Sequence, residues 1–311
     1  LLTLPDLTVL PPSLVADPAR ARHAPSGTGP FVAREVTFGK VARFDRCDAY
    51  WDRGRIALDG VDLDLTEDSE AGVFQRFLDG QLDVVWDIPY PEAARLMADP
   101  EWRPYIDSSV QLHTSFLVLR CDRAPLDDVR VRRALNHAVD RAALNERTFA
   151  GLTVPAASIL PPHLVGHDPS LRPYRHDPER AKALLAEAGR GDGLTLTAWL
   201  SPKDARDPLN PFPAIAAQLE AVGVKLVLEI LPGEEMSARK RSGVFPDVQL
   251  LRWFADFPDP DTFFSALFYS KTEDVLDGGY RSADVDRLVE KGARLLDAGE
   301  REEVYRELNR L

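Results

Sequence analysis

Three apolar runs, Leu194 to Leu200, Val224 to Ile230 and Val248 to Trp253, alternate with stretches of helical periodicity, and no other feature restricts the fold as much. The intervening helices are expected at about Pro211 to Ala221 and around Glu234 to Ser242. A β-α-β-α-β order of this kind implies parallel strands joined by right-handed crossovers, and so an α/β fold. In such sheets ligands bind beyond the carboxyl ends of the strands, where loops and helix N-termini converge.

The third run leads directly into RWFADFPDPDTFF, Arg252 to Phe264, which places aromatic surface and a carboxylate where the strand must end. Pro258 and Pro260 disfavour regular structure there, so Trp253 and Asp256 are predicted to sit on a loop. Arg252 and Phe254 belong to the same segment and complete a candidate ligand-binding group with Trp253 and Asp256.

Helix signals elsewhere are well formed. Asp127 or Asp128 caps a helix whose Val131, Ala134, Leu135 and Ala138 form an apolar stripe. Asp177 as cap, Pro178 in the first turn and Gly189 as stop define another, with Ala181, Leu184, Leu185 and Ala188 inward. Ser282 caps a helix with Val285, Leu288, Val289, Leu295 and Leu296 inward; Gly299 separates it from a last helix bearing Val304, Leu308 and Leu311.

Ahead of residue 120 short strands are expected at Val41 to Phe44, across Val61, Leu63 and Leu65, and at Leu82 to Trp86. The last two are separated by a helix that starts at Ser69 and stops at Gly80.

Composition removes several function classes. A formal net charge of -12 at pH 7 argues against nucleic acid or an anionic membrane as partner, since both require a basic face. No apolar run reaches the ~18 to 20 residues of a bilayer span. The opening LLTLPDLTVLPPSLV is broken by Pro5, Pro11 and Pro12, has no basic leader, and does not read as a signal peptide. The chain does not begin with Met, so its start is not expected to be the start of the gene.

Cys47 and Cys121 fit neither a metal site nor a disulfide framework. His113, His137, His163, His167 and His176 are scattered without metal-ligand spacing, and no metal or cofactor is expected. No nucleophile elbow, P-loop or dinucleotide fingerprint occurs, which leaves a hydrolase as a minor alternative and a non-enzymatic role as the expectation.

Several segments, in order, resemble the family 5 extracellular solute-binding proteins of bacterial ABC importers. SGTGPF at Ser26 to Phe31 is similar to the family's glycine turn, DAYW at Asp48 to Trp51 to its strand-end motif, and GQLDVV at Gly80 to Val85 to its helix-strand junction. APLDDVRVRRALNHAVDR, Ala124 to Arg141, is the most specific, and HDPERAKALLAEAG, His176 to Gly189, follows at the expected distance.

The resemblance implies a class II periplasmic-binding-protein-like α/β fold, two lobes with a hinge, and a ligand trapped by closure. Residues 1–121 would be part of the first lobe, mixed α/β and incomplete; residues 122–311 would be the second, ligand-binding lobe with C-terminal helices. The family carries long segments before the glycine turn and after the last helix, so these 311 residues are expected to be an interior portion.

In peptide-binding members the carboxylate matching Asp256, three residues after the tryptophan, accepts the ligand's α-ammonium. A loop-capping role beside Pro258 is the alternative. Trp253 either walls a ligand pocket or packs into the core. Arg120 meets a ligand carboxylate or pairs with Asp122 or Asp128, and Arg252 is a ligand-facing cation or part of a strand-edge salt bridge. Asp259 and Asp261 read as turn formers around Pro260 rather than an acid pair.

The implied function is the extracytoplasmic receptor of an ABC importer, monomeric, in the periplasm or as a cell-surface lipoprotein. It would take a peptide or peptide-like solute to a membrane permease. A ligand-sensing domain of a transcriptional regulator, or a receptor for a nickel chelate or oligosaccharide, are the alternatives.

Overall fold

The computed structural model describes residues 12–17, 19, 25–66, 69–207, 210–271 and 278–311, so most of the N-terminal apolar segment, residues 1–11, lies outside the described residues. The chain divides into two compact units, Leu1–Pro89 and Tyr90–Leu311.

The first unit contains helix α1 (Pro12–Ala16), an antiparallel sheet in the order β1-β2-β3 (Phe31–Thr37, Val41–Arg46, Gly60–Asp64) and helix α2 (Glu70–Leu78). The α2 boundaries follow from local chemistry. Ser69 Oγ accepts from the Gly72 N–H at 3.1 Å, and Gly80 takes the left-handed φ of 71° that glycine tolerates without a Cβ clash. Leu82 to Trp86, predicted as a strand, is not one: it has no partner strand among the described residues, and Val84 and Trp86 stand 68% and 88% exposed. β-Propensity without a neighbouring strand to pack on does not make a sheet.

The second unit is built on a four-stranded sheet ordered β4-β7-β5-β6, from His113–Leu119, Val248–Phe254, Leu194–Leu200 and Val224–Ile230. β5 runs parallel to β6 and to β7, as the alternation required, while β4 pairs antiparallel with β7 along its whole length. The helices, in chain order, are α3 (Tyr90–Ala98), α4 (Val129–Ala138), α5 (Arg141–Phe149), α6 (Pro178–Glu187), α7 (Pro202–Arg206), α8 (Phe212–Glu220), α9 (Gly233–Arg241), α10 (Asp261–Leu267), α11 (Ala283–Arg294) and α12 (Ala298–Leu308).

Two cores flank this sheet. One gathers Val131, Leu135, Leu184, Leu185, Phe212 and Leu219 of α4, α6 and α8 over Leu196, Ala198 and Val248. The other gathers Phe263, Phe264, Leu288, Val304 and Tyr305 of α10, α11 and α12, with Val118 of β4. The expected caps at Asp128, Asp177 and Ser282 each accept a backbone N–H of the first turn.

Three details differ from expectation. Gly299 lies inside the first turn of α12, which Asp297 caps, rather than between helices. Leu296 is 100% and Leu311 68% exposed, although the spacing placed both inward. Both stand beyond the helix ends, where the 3.6-residue period no longer governs direction.

Candidate functional site

β5 lies between β6 and β7: the chain goes from β5 to β6 on one side of it, then crosses back to β7 on the other. The strand order thus reverses at the β5-β7 junction, a topological switch point that the carboxyl end of β7 borders. Asp247 fixes where β7 starts. Its Oδ2 accepts from Thr197 N and Oγ1 of β5, both at 2.8 Å, and its Oδ1 from Arg123 at 2.9 Å. The β5 ladder ends one residue later, at Ala198 opposite Val248.

The register shows what β7 presents beyond that point. Arg120 N–H donates to Asp247 O, and Ala255 N–H to Leu112 O, bracketing the antiparallel β4-β7 ladder. Alternate residues of such a ladder bond to the partner, so 249, 251 and 253 face β4. Leu250, Arg252 and Phe254 therefore turn their N–H and C=O groups to the opposite edge, where no strand among the described residues pairs with them.

Side chains divide just as sharply. Leu251, Trp253 and Ala255 pack on the core of α10 to α12, whereas Arg252, Phe254 and Asp256 are exposed. Trp253 belongs to β7 and not to the loop, correcting the sequence expectation, because pairing with Thr114 extends the strand through Phe254. Its indole N–H donates to Thr262 O at 2.8 Å, so one edge of the ring anchors α10. Asp256 does lie on the loop, and among the described residues its carboxylate has no hydrogen-bond or ion-pair partner.

Phe254 is 51% exposed and stacks on His113 across the ladder, with ring centroids 4.7 Å apart and planes inclined by 24°. Sequence reading did not include His113 in the site. The alternation in HTSFLVL was its only signal. His113 Nδ1 is buried without a partner among the described residues, and burial, assisted by the Arg252 charge, holds its pKa below the usual histidine value. Arg252 forms no salt bridge among the described residues.

Arg120 is placed differently. Its guanidinium donates to both Asp122 oxygens at 2.8 Å and covers the Phe245 ring at 4.2 Å, and only 15% of the side chain is exposed. The Asp122 pair foreseen from the sequence is thus formed. Asp259 and Asp261 hold the loop, as expected of turn residues: Asp259 Oδ1 accepts from Asp261 N–H at 2.8 Å. Both also reach α12. Arg301 donates to both Asp259 oxygens, and Tyr305 Oη donates to Asp261 Oδ1 at 2.9 Å.

The arrangement offers a carboxylate, a cation, a stacked aromatic pair and a backbone edge that no strand pairs among the described residues, groups able to hold a polar ligand. Both cysteines are free thiols, and no group of residues suited to a metal ion occurs among the described residues.

Comparison with known proteins agrees. The sequence profile for "Bacterial extracellular solute-binding proteins, family 5 Middle" matches residues 3–274. The Dipeptide-binding protein of Escherichia coli is 31% identical over 255 residues, 78% of this chain and 45% of that protein. Heme-binding protein A of Haemophilus influenzae is 27% identical over 287 residues, 91% of this chain and 52% of its own length. This chain thus spans about half of each relative.

The fold matches that of the ABC transporter-associated periplasmic binding protein DppA from Helicobacter pylori in complex with the peptide STSA. The TM-score is 0.81 at 23% identity, over 99% of this chain and 60% of that one. The architecture is therefore the class II-like fold of periplasmic binding proteins. With its profile matched over most of its length, the chain belongs to the family 5 bacterial extracellular solute-binding proteins.

Proposed function

We infer that the protein of which this chain is part binds a short peptide or peptide-like solute outside the cytoplasm and, as a monomer, delivers it to the membrane permease of an ABC importer. The observation that carries the reading is the free edge of β7. Leu250, Arg252 and Phe254 present unpaired backbone donors and acceptors, and a peptide is the ligand whose own backbone satisfies them, by β-augmentation.

Asp256 stands just beyond that edge as an exposed carboxylate, suited to the three donors of an α-ammonium group. The names of the relatives, two of which concern peptides and one heme, support a peptide as ligand without requiring it. In this reading residues 122–311 form the ligand-holding lobe together with β4, and the residues ahead of them belong to the other lobe. No helix among the described residues is long and apolar enough to cross a membrane, which suits a receptor that hands its ligand to a separate permease.

Mass spectrometry of the purified protein under native and then denaturing conditions tests the reading. A peptide mass retained under native conditions and lost on unfolding supports it. A sugar or a metal chelate retained in place of any peptide overturns the peptide assignment.

A further inference from the structure

β6 ends the sheet on one side, and its outer edge has no partner strand among the described residues. The parallel pairing with β5 determines which backbone groups are left over. Leu194 N–H donates to Gly223 O and Leu231 N–H to Leu200 O, so 225, 227 and 229 turn their backbone groups to β5. Val224, Leu226, Leu228 and Ile230 therefore turn their N–H and C=O groups outward.

An open edge of this kind is a template for another strand unless the sequence blunts it. β6, VKLVLEI, has no proline and its pairing with β5 runs without a register shift. Its two charges, Lys225 and Glu229, stand at mirror positions about Val227 and have opposite sign. Like charges there would repel a second copy; these attract it. Arg239 donates to Glu229 at 2.6 Å and to Glu235 at 2.8 Å, which holds the Glu229 carboxylate in place, while Lys225 is exposed and has no ion-pair partner among the described residues.

We propose that β6 pairs antiparallel with β6 of a second copy of this chain, about a two-fold axis through Val227, so that the two sheets become continuous. In that register Leu226 meets Leu228 of the copy and Val224 meets its Ile230. These are the residues whose N–H and C=O groups point outward, so each pair exchanges two hydrogen bonds. Lys225 meets Glu229 of the copy at the intervening non-hydrogen-bonded positions, where side chains approach closest.

Other registers fail. A slip of one residue sets outward-turned residues opposite inward-turned ones, and a slip of two leaves both charges facing uncharged residues. The chosen register also covers apolar surface. Leu228 and Ile230 are exposed on the face where Val224 and Leu226 pack on the core of α4, α6 and α8, and the copy supplies the neighbours they lack.

This goes beyond the receptor reading and does not depend on the ligand. One seven-residue strand from each copy is a small contact for a stable dimer, and a net charge of -12 repels the copies at long range. The monomer therefore prevails when dilute, as the receptor reading requires, and the pair forms as concentration rises.

Sedimentation velocity of the protein that carries this chain, from about 1 μM to about 500 μM, tests the proposal. The wild type should shift toward the dimer as concentration rises. Lys225→Glu and Glu229→Lys each set like charges opposite one another, and each should weaken self-association at least about tenfold; Arg239 keeps Glu235 in the second variant. An equimolar mixture of the two variants restores opposite charges at both positions of the mixed pair and should associate within about threefold of the wild type. A misfolded variant would not be rescued by mixing. Residue-resolved hydrogen exchange should show the Leu226, Leu228 and Ile230 amides gaining protection with wild-type concentration. A wild type that stays monomeric throughout overturns the proposal and leaves the edge to another part of the protein. Association that both single variants retain, or that leaves those three amides unprotected, overturns it as well.

Discussion

Arg301 of α12 donates two hydrogen bonds of 2.8 Å to the two oxygens of Asp259, tying the C-terminal helix to the loop that carries Asp256. The pair is sheltered, with side chains 21% and 27% exposed, and the Arg301 guanidinium also lies 4.7 Å from the Tyr305 ring centroid. The β7-α10 loop is therefore not positioned by its prolines alone. A helix more than forty residues downstream fixes it.

Arg301→Ala should destabilise the protein by about 2 kcal/mol, since it strands a half-buried carboxylate. It should also weaken any ligand held by Asp256 without touching that ligand. Urea unfolding midpoints and peptide titration of the same variant check both effects. Unchanged stability would show that the loop is held by its turn chemistry.

Trp253→Phe tests the anchoring of α10 to the end of β7. Phenylalanine keeps most of the apolar contact with the α10 to α12 core but removes the N–H that donates to Thr262 O. Thr262 is buried, so its carbonyl loses a partner that water does not readily replace, and a loss of about 1–3 kcal/mol is expected. Thermal and denaturant unfolding measure it.

The strands β5 and β6 are legible in the sequence from end to end because each is a short apolar-rich run that begins directly after a turn glycine, Gly193 or Gly223. α6 is equally legible, since Asp177, Pro178 and Gly189 mark its limits chemically. β4 escapes notice for a physical reason: its alternation matters only once β7 lies beside it, and nothing local to His113 to Leu119 indicates that partner. α10 is hidden because Pro258 and Pro260 act as breakers in sequence, whereas Pro260 occupies the cap position, where a missing N–H costs nothing. The site divides in the same way. Asp256 and its loop follow from local residues, but the stacking of Phe254 on His113 and the open edge of β7 depend on strand pairing over long sequence distance.

Gly166 should resist substitution although it is not one of the candidate site residues. Its φ is +83°, and a Cβ placed there would sit 2.6 Å from Tyr305 Cβ. Gly166→Ala combines a left-handed backbone with an overlap against the Cβ and backbone of the fully buried Tyr305, and a cost of at least about 2 kcal/mol is expected. Calorimetric unfolding checks it; a neutral result would mean that the loop and α12 can move apart freely.

His113 makes stability sensitive to mild acid. Burial and the Arg252 charge lower its pKa in the folded state below the ordinary 6.5, so the unfolded chain binds this proton more readily. The contribution is complete above about pH 6.5 and is lost as pH falls below it. His113→Phe keeps an aromatic partner for Phe254 and removes the titration. Between pH 7.5 and 5.5 the wild type should lose more stability than the variant in urea unfolding. Parallel losses would show that His113 gains its proton as easily folded as unfolded.

Asp256→Asn isolates the charge at the centre of the functional reading. The side chain keeps its size and loses its negative charge, and since the wild-type carboxylate bonds to nothing among the described residues, stability should not change. A charge-assisted hydrogen bond to an ammonium contributes about 1.5–3 kcal/mol, so peptides with a free amino terminus should bind roughly 10- to 100-fold more weakly. N-acetylated peptides have no ammonium to lose, so their affinity should stay within about twofold of the wild-type value. Parallel titration of one peptide in both forms reads the difference directly. An equal loss for both would place the α-ammonium elsewhere and reduce Asp256 to a residue of the loop.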